Sequence, residues 1–526
     1  MTGAGAGQPP GRGRSPLPFP LGASAASEPT RFGPPPPLDG QVLSRLKGVC
    51  AQVSTSRHDL AEAGRDWWPL SAHWAARGQL PSLPAVVARP ASLEELSGLL
   101  EVAQADNVAV TPFAGASGVC GGAIPLAGGL SLDMTGLAGL VDIDERSLLV
   151  RVRAGTFGPE LEAALAAEGL SLGHWPQSFY LSTVGGWAAC RGAGQYSTRY
   201  GKIEDMATSL EVVLAGGQVL RVGSRAPRAA VGPELKALFL GSEGTLGVIS
   251  ELELVVHPLP EAERVEAWAF PSFEAGLDAC RRVLRRGATP AVVRLYDPTE
   301  SERHFGVAQG AVLVVVDEGD PKVVDASMAI VAAECSQAEP LGQEPARRWL
   351  EHRLEVPDLE SLVRAGVVAD TVEVACAWGE LAELYRRALE RLRAIPGMLV
   401  ASAHQSHSYP SGACLYFTFA GRPKGPDSDG AEELYRRAFF SVTSCAAELG
   451  GAISHHHGVG LVRSAAMEQA QGAQMELLRS IKAALDPHGI LNPGKLGLAG
   501  MLAASAPVWP DAPADRAGPH REGPAT

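Results

Sequence analysis

The residues best suited to proton chemistry are three consecutive histidines, His455, His456 and His457, set in SHHHGVG at 454–460. Histidine changes charge near neutral pH, so such a run can give or take a proton during turnover. As a metal site the run is poor, because consecutive side chains on extended backbone point to opposite faces. No metal is expected. One packed and two solvated histidines would leave the same pattern. A second group lies upstream, with His404, His407, Tyr409 and Tyr416 in the strand-rich segment 399–420. Three residues apart on a strand, His404 and His407 are expected on opposite faces, with His407 and Tyr409 sharing one.

Three glycine-spaced stretches offer binding through the backbone. STVGGWAACRGAG at 182–194, followed by YGKIEDM, alternates glycine with small residues. Without a Cβ the chain can lie against a ligand, and a large planar group is expected there. PFAGASGVCGG at 112–122 follows a predicted strand, and its successive N–H groups can form a nest for a diphosphate without any lysine. It is neither GxxxxGK[ST] nor GxGxxG, which excludes the P-loop and the dinucleotide fingerprint. LGSEGTLGVIS at 240–250 is the third. Taken singly, each also fits a turn that needs glycine.

These loops need a scaffold, and composition bounds it. At 526 residues the chain exceeds what one core serves, so two or more domains are expected. With 46% hydrophobic and 20% charged residues it has ample core material. A net charge of −13 argues against a nucleic-acid partner. The eight cysteines stand singly with no CxxC pair, which disfavours structural zinc or a disulfide framework and fits a reducing cytoplasm. There is no apolar run long enough for a membrane span, no secretory signal pattern near the start, and no Ser-Lys-Leu type ending.

The tails 1–38 and 498–526 are rich in Gly, Pro, Ala and Ser and read as disordered. Residues 39–82 form a mixed helical segment in which Asp66-Trp67-Trp68-Pro69 reads as a packing plug against the next domain. From 83 to 260 the pattern runs strand, helix, strand, and then further strands. PAVVARP precedes a helix opened by the Ser92/Glu95 capping spacing, VVLAGGQVLRV at 212–222 reads as a hairpin, and ELELVVHPLP at 251–260 alternates with Glu251 and Glu253 outward. Residues 261–450 read as amphipathic helices on one face of an antiparallel sheet, and 451–497 as a closing segment. The fold class is α+β.

Taken together, PFAGASGVCGG, STVGGWAACRGAG, YGKIED, GSEGTLGVISE and LDPHGILNPGKL resemble the flavoproteins of the vanillyl-alcohol oxidase and p-cresol methylhydroxylase type. Within that family the likeness is to the alkyldihydroxyacetonephosphate synthases, carried by STVGGW with YGKIED, RLYD at 294–297, GACLYFTF at 412–419 and SHHHGVG. The resemblance implies a two-subdomain FAD-binding domain at 83–260, a cap domain at 261–450, and a segment 451–497 that returns to the flavin. Its FAD would be non-covalent, because the phosphate loop offers Ala114, Gly115, Ala116 and Ser117 where some members tether the flavin through histidine. The implied cofactor contacts are Pro112, Ala114, Gly115, Ala116, Ser117 and Gly118 for the pyrophosphate, and Ser182, Thr183, Gly185, Gly186, Trp187, Gly192 and Gly194 beside the rings. Glu243, Gly244, Thr245, Gly247, Val248 and Ile249 would face the adenosine.

The same resemblance implies that Tyr416 and the histidine run act on protons over the flavin and that Arg294 fixes an anion. The implied reaction exchanges the acyl group of acyl-dihydroxyacetone phosphate for a fatty alcohol through a flavin adduct, giving an ether lipid. A small-molecule or lipid substrate, contact with a membrane surface, and a homodimer follow from it. One departure stands out: Glu360 falls where the synthases have an arginine, and neither Arg353 nor Arg364 matches it. His404 also stands close to a family arginine. A 2-hydroxy-acid oxidase or dehydrogenase of the same superfamily, or a flavin-binding protein without catalysis, are the other readings.

Overall fold

The structure, a computed structural model, describes residues 30–33, 36–355, 359–423 and 428–501. The tails expected at 1–38 and 498–526 fall almost wholly outside them.

Three sheets carry the fold. In the first, the strands lie in the order Val53–Ser54, Val86–Ala88, Leu130–Asp133, Val110–Phe113, and the last three are parallel. The helix Leu93–Ala105 starts where expected, with the Ser92 hydroxyl accepting from the Glu95 N–H at 3.2 Å. The Glu95 carboxylate accepts instead from Ala91 N–H at 2.7 Å.

The second sheet runs Leu140–Asp144, Leu149–Arg153, Val248–Val255, Ala207–Val213, Val219–Gly223, antiparallel throughout. Its last two strands are the expected hairpin. Glu251 and Glu253 do not face solvent as the alternation suggested: both are buried. Arg151 and Arg221 reach Glu251 at 3.1 and 3.2 Å, and Arg225 reaches Glu253 at 3.0 Å. The long arginine stems close over the outer face, so alternation identifies a second face without showing that it is wet.

The third sheet is antiparallel and seven-stranded, ordered Glu339–Gly342, Ala262–Phe270, Ala311–Gly319, Val292–Tyr296, Met398–Tyr409, Gly412–Gly421, Val368–Ala377. Helices Phe273–Arg285, Pro321–Glu334, Leu381–Arg393 and Ser428–Glu448 pack on it around the largest core. A further helix, Glu344–His352, brings Ala346 and Trp349 to a smaller core with Val292, Tyr296 and Val314.

The tryptophan plug divides its duties. Trp68 is buried against Trp74, edge to face at 5.0 Å, and its indole N–H donates to Tyr435 of the third layer at 3.0 Å. Trp67 lines the cavity described below. Among the described residues no helix is long and apolar enough to cross a membrane.

Candidate active site

A cavity of about 1270 Å³ is walled by residues from all three sheets. Small-molecule sites usually run to roughly 1,000 Å³, so this one has room for a large ligand and a second molecule.

One wall is the loop that follows Val110–Phe113. Ala116 takes the left-handed conformation with φ +50°, and among the described residues no group accepts the N–H of Gly115, Ala116, Ser117 or Gly118. A left-handed residue among right-handed neighbours turns successive N–H groups toward one point, the geometry that holds phosphate oxygens. The loop is braced from behind. Asp66 accepts from Trp68 N–H at 3.1 Å, while Lys495 donates to the Ile124 carbonyl at 2.7 Å. A Cβ on Gly115 would stand 2.0 Å from the Leu181 carbonyl oxygen. Gly115→Ala is therefore expected to displace the loop and lose bound flavin, read from the ratio of 450 to 280 nm absorbance after gel filtration.

The 182–194 stretch is not a flat loop. Val184–Cys190 is a short helix capped by Thr183, whose hydroxyl accepts from Gly186 N–H at 3.3 Å, and it ends on left-handed Arg191. Its glycines do different work. Gly185 packs on Ala154, and Gly194 packs on His174 and Trp175 away from the cavity, whereas Gly186 and Gly192 open onto it. Ser182, Thr183, Gly185 and Trp187 also line the wall, as do Pro112, Ala114, Gly115, Ala116, Ser117, Gly118, Glu243, Gly244, Gly247, Val248 and Ile249. Thr245 is fully buried, its hydroxyl donating to the Ser242 carbonyl at 2.7 Å. Glu243 turns toward the closing segment and accepts from Val459 and Gly460 N–H at 2.6 and 2.8 Å.

The histidine run is bent around a carboxylate. Glu373, fully buried on Val368–Ala377, accepts from the N–H of His455, His456 and His457 at 3.3, 3.1 and 2.7 Å and from the Ser454 hydroxyl at 2.8 Å. Arg463 completes its shell as a buried ion pair. Burial is the largest single influence and works against the charge of Glu373, but Arg463 and the groups of the histidine run together outweigh it and hold the carboxyl well below its ordinary range. Alternation of the three rings fails because a carboxylate gathers the backbone. His456 and His457 line the cavity, and His455 stacks on His407 with centroids 4.8 Å apart. The ring nitrogens of His407, His455 and His456 lie within 4.8 Å of one another, close enough to share a divalent cation.

A bulge corrects the reading of 404 and 407. The register between Met398–Tyr409 and Gly412–Gly421 shifts between Gln405 and His407, and the extra residue brings His404 and His407 both to the cavity wall. His407 and Tyr409 share a face as expected, both approached by Ser197 Oγ, at 2.7 and 3.5 Å. Arg294 donates to His404 Nε2 at 2.6 Å, so His404 carries its proton on Nδ1 and donates to Glu300 at 2.7 Å. His404 stacks on Tyr416, centroids 4.9 Å apart. Tyr416 accepts from Thr371 at 3.0 Å, leaving its own proton to face His457 Nε2 at 3.3 Å. Burial pushes the Tyr416 phenol up, so it holds that proton at neutral pH.

Two family patterns match the chain: "FAD binding domain" over residues 84–223 and "FAD linked oxidases, C-terminal domain" over 259–496. Alkyldihydroxyacetonephosphate synthase of Dictyostelium discoideum is 33% identical over 80% of this chain and 74% of that protein. The chain belongs to the FAD-linked oxidase family. The glycolate oxidase subunit GlcD of Bacillus subtilis (strain 168) is 27% identical over 86% of this chain and 97% of its own length. A solved structure described as alkyldihydroxyacetonephosphate synthase superposes with a TM-score of 0.73 at 28% identity, covering 88% of this chain and 87% of the other. Substrate-bound p-cresol methylhydroxylase, 16% identical with a TM-score of 0.69, shares the fold, which is of the vanillyl-alcohol oxidase type. The protein is an FAD-dependent enzyme, and the unclaimed N–H groups of 115–118 fit the diphosphate of that cofactor.

Several residues of this flavoenzyme's site escaped the sequence. Glu373 left a signal, a lone carboxylate in the apolar strand VEVACA. Glu300 left none, because it sits in the helix Pro298–Phe305 among charged neighbours that look solvated, yet it is buried and accepts from Ser402, Thr418 and His404. The buried histidines set an acid limit on stability. Burial lowers His404 and His455 to about 4, and holds His407 and His456 well below the ordinary value of 6.5. The unfolded chain then binds more protons than the folded one, so stability is full above about pH 6.5 and falls as pH drops toward 4. Thermal unfolding across that window is expected to lose roughly 5 °C or more in midpoint.

Proposed function

We propose that this flavoenzyme exchanges the acyl chain of an acyl-dihydroxyacetone phosphate for a fatty alcohol, forming an ether, with FAD held non-covalently. The observation that carries the reading is the packing of Tyr416 against His404, His456 and His457 on the cavity wall. The relative and the solved structure named as alkyldihydroxyacetonephosphate synthase add to it.

When bound, FAD supplies the ring that activates the substrate carbon. The acyl chain leaves as a carboxylate, whose developing charge a hydrogen bond can steady, and entry of an alcohol needs a base for its hydroxyl. Tyr416 can turn its O–H to donate that hydrogen bond, and neutral His457 Nε2, 3.3 Å from the phenol, can take the proton of the alcohol. Glu373 steadies the imidazolium so formed, its oxygen lying 3.8 Å from His457 Nδ1. Arg294 is fixed by Tyr296 and His404 and presents a positive charge to an anionic substrate. Pro112, Ala114–Gly118 and the 182–192 wall would bind the cofactor.

A second reading, oxidation of a 2-hydroxy acid, is favoured by the convergence of His407, His455 and His456 and by the likeness to the glycolate oxidase subunit. An anaerobic spectrum of the FAD-loaded protein separates the two. Bleaching by acyl-dihydroxyacetone phosphate that a fatty alcohol reverses, with ether in the extract, supports the synthase. Bleaching by glycolate or D-lactate, with no ether, overturns it. A flavin that answers to neither leaves a binder without catalysis.

A further inference from the structure

The cavity has one end that neither the glycine loops nor the histidine run occupies. It is lined by Arg294, Tyr296, Arg303, His304, Arg348 and Trp349. The charge balance there is opposite to that of the chain, whose net charge is −13. Among the described residues neither Arg294 nor Arg348 is in ion-pair contact with a carboxylate, and no hydrogen-bond partner takes the Arg348 side chain. Arg303 donates to His304 Nε2 at 2.9 Å and is 3.8 Å from Glu300. That carboxylate is already engaged by Ser402, Thr418 and His404, and Glu355, also on the cavity wall, pairs with His352 at 2.8 Å. Three guanidiniums thus face two carboxylates that already have partners.

His304 is the hub. Its ring packs against Tyr296 with centroids 5.6 Å apart, Arg303 donates to it, and Arg294 donates to the Tyr296 hydroxyl at 2.8 Å, while Arg348 stands on the same cavity wall beside Trp349. Arg294 is held in place, with its guanidinium carbon 5.4 Å from the Tyr296 ring and 5.7 Å from the Trp349 ring. Through His404 it also touches the group that stacks on Tyr416. An anion bound here would lie within one small molecule's length of Tyr416. A lone carboxylate is matched by a single guanidinium fork, whereas a dianionic phosphomonoester has oxygens for several.

We propose that Arg294, Arg303 and Arg348, grouped around His304, form the subsite that receives the phosphate of a phosphomonoester substrate. The inference rests on the proposed reaction and fills the gap left at Glu360, which is paired with Arg364 at 2.8 Å and does not line the cavity. The subsite draws on the strand Val292–Tyr296 and on two helices, Pro298–Phe305 and Glu344–His352, in place of the 359–364 helix.

The test is calorimetric titration of inorganic phosphate into the FAD-loaded enzyme and into R303Q/R348Q, with R348Q alone as a milder change at an exposed position. One phosphate is expected per wild-type chain, weakened at least tenfold in the double variant and about threefold in R348Q, with flavin content unchanged in both. Equal affinity in wild type and R348Q, or no binding to wild type, overturns the subsite. Its failure is separable from that of the reaction. Arginine-dependent phosphate binding without ether formation leaves the subsite standing and removes the synthase reading. Ether formation with an unchanged KM for acyl-dihydroxyacetone phosphate in the double variant does the reverse.

Discussion

Tyr416→Phe is expected to lower kcat by about 10²–10⁴-fold, the usual worth of a positioned proton donor. The ring stack on His404 would survive, because phenylalanine keeps the face that lies at 17° to the imidazole. The loops proposed to hold the flavin lie on other walls, so FAD content should not change. What disappears is the one O–H aimed at His457 Nε2 while Thr371 occupies the acceptor side of the phenol. A structural role would show as lost flavin or lower stability with kcat preserved. The informative readout is kcat against pH: burial pushes the phenol up, so its proton is present throughout the neutral range and the loss in the variant should be the same at every pH from about 6 to 9. Wild-type turnover in Tyr416→Phe would remove the residue from the mechanism.

What could be read before folding, and what could not, follows from the range of the forces involved. Ser92 and the Gly216-Gly217 turn act on their own neighbours, so local pattern placed the helix Leu93–Ala105 and the hairpin Ala207–Val213 with Val219–Gly223. The turned backbone after Val110–Phe113 was legible for a related reason, since such a turn is built from consecutive residues. The short helix Val184–Cys190 was not legible, because Gly185 and Gly194 also serve close packing against Ala154 and Trp175, a use of glycine that spacing does not distinguish from an open loop. The bulge at 405–407 was invisible, because one extra residue changes no composition and yet turns His407 to the same wall as His404. Long-range electrostatics was hidden most deeply. Arg463 meets Glu373 across 90 residues, and His404 meets Glu300 across 104.

That buried pair predicts the second large effect. Glu373→Ala would leave Arg463, 1% exposed, without its carboxylate, and stranding one partner of a buried ion pair costs about 3–5 kcal/mol. It would also release three successive N–H groups that now converge on one oxygen, so His455, His456 and His457 should lose their common bend. Both stability and turnover are expected to fall. Replacing the pair together, Glu373→Leu with Arg463→Met, separates the two causes. Hydrophobic partners of similar volume remove the stranded charge, and such replacements are often neutral or stabilising, so the urea midpoint should return toward wild type. Turnover should not return with it, because leucine accepts no hydrogen bond from the histidine run. Recovery of both would mean that the carboxylate only balances charge, and that the bend at 455–457 is set by the turn through Gly458 and Gly460, whose backbones are left-handed at φ +81° and +51°. Recovery of stability alone would assign Glu373 the positioning of the proton-transfer group, which is the role its three N–H contacts support.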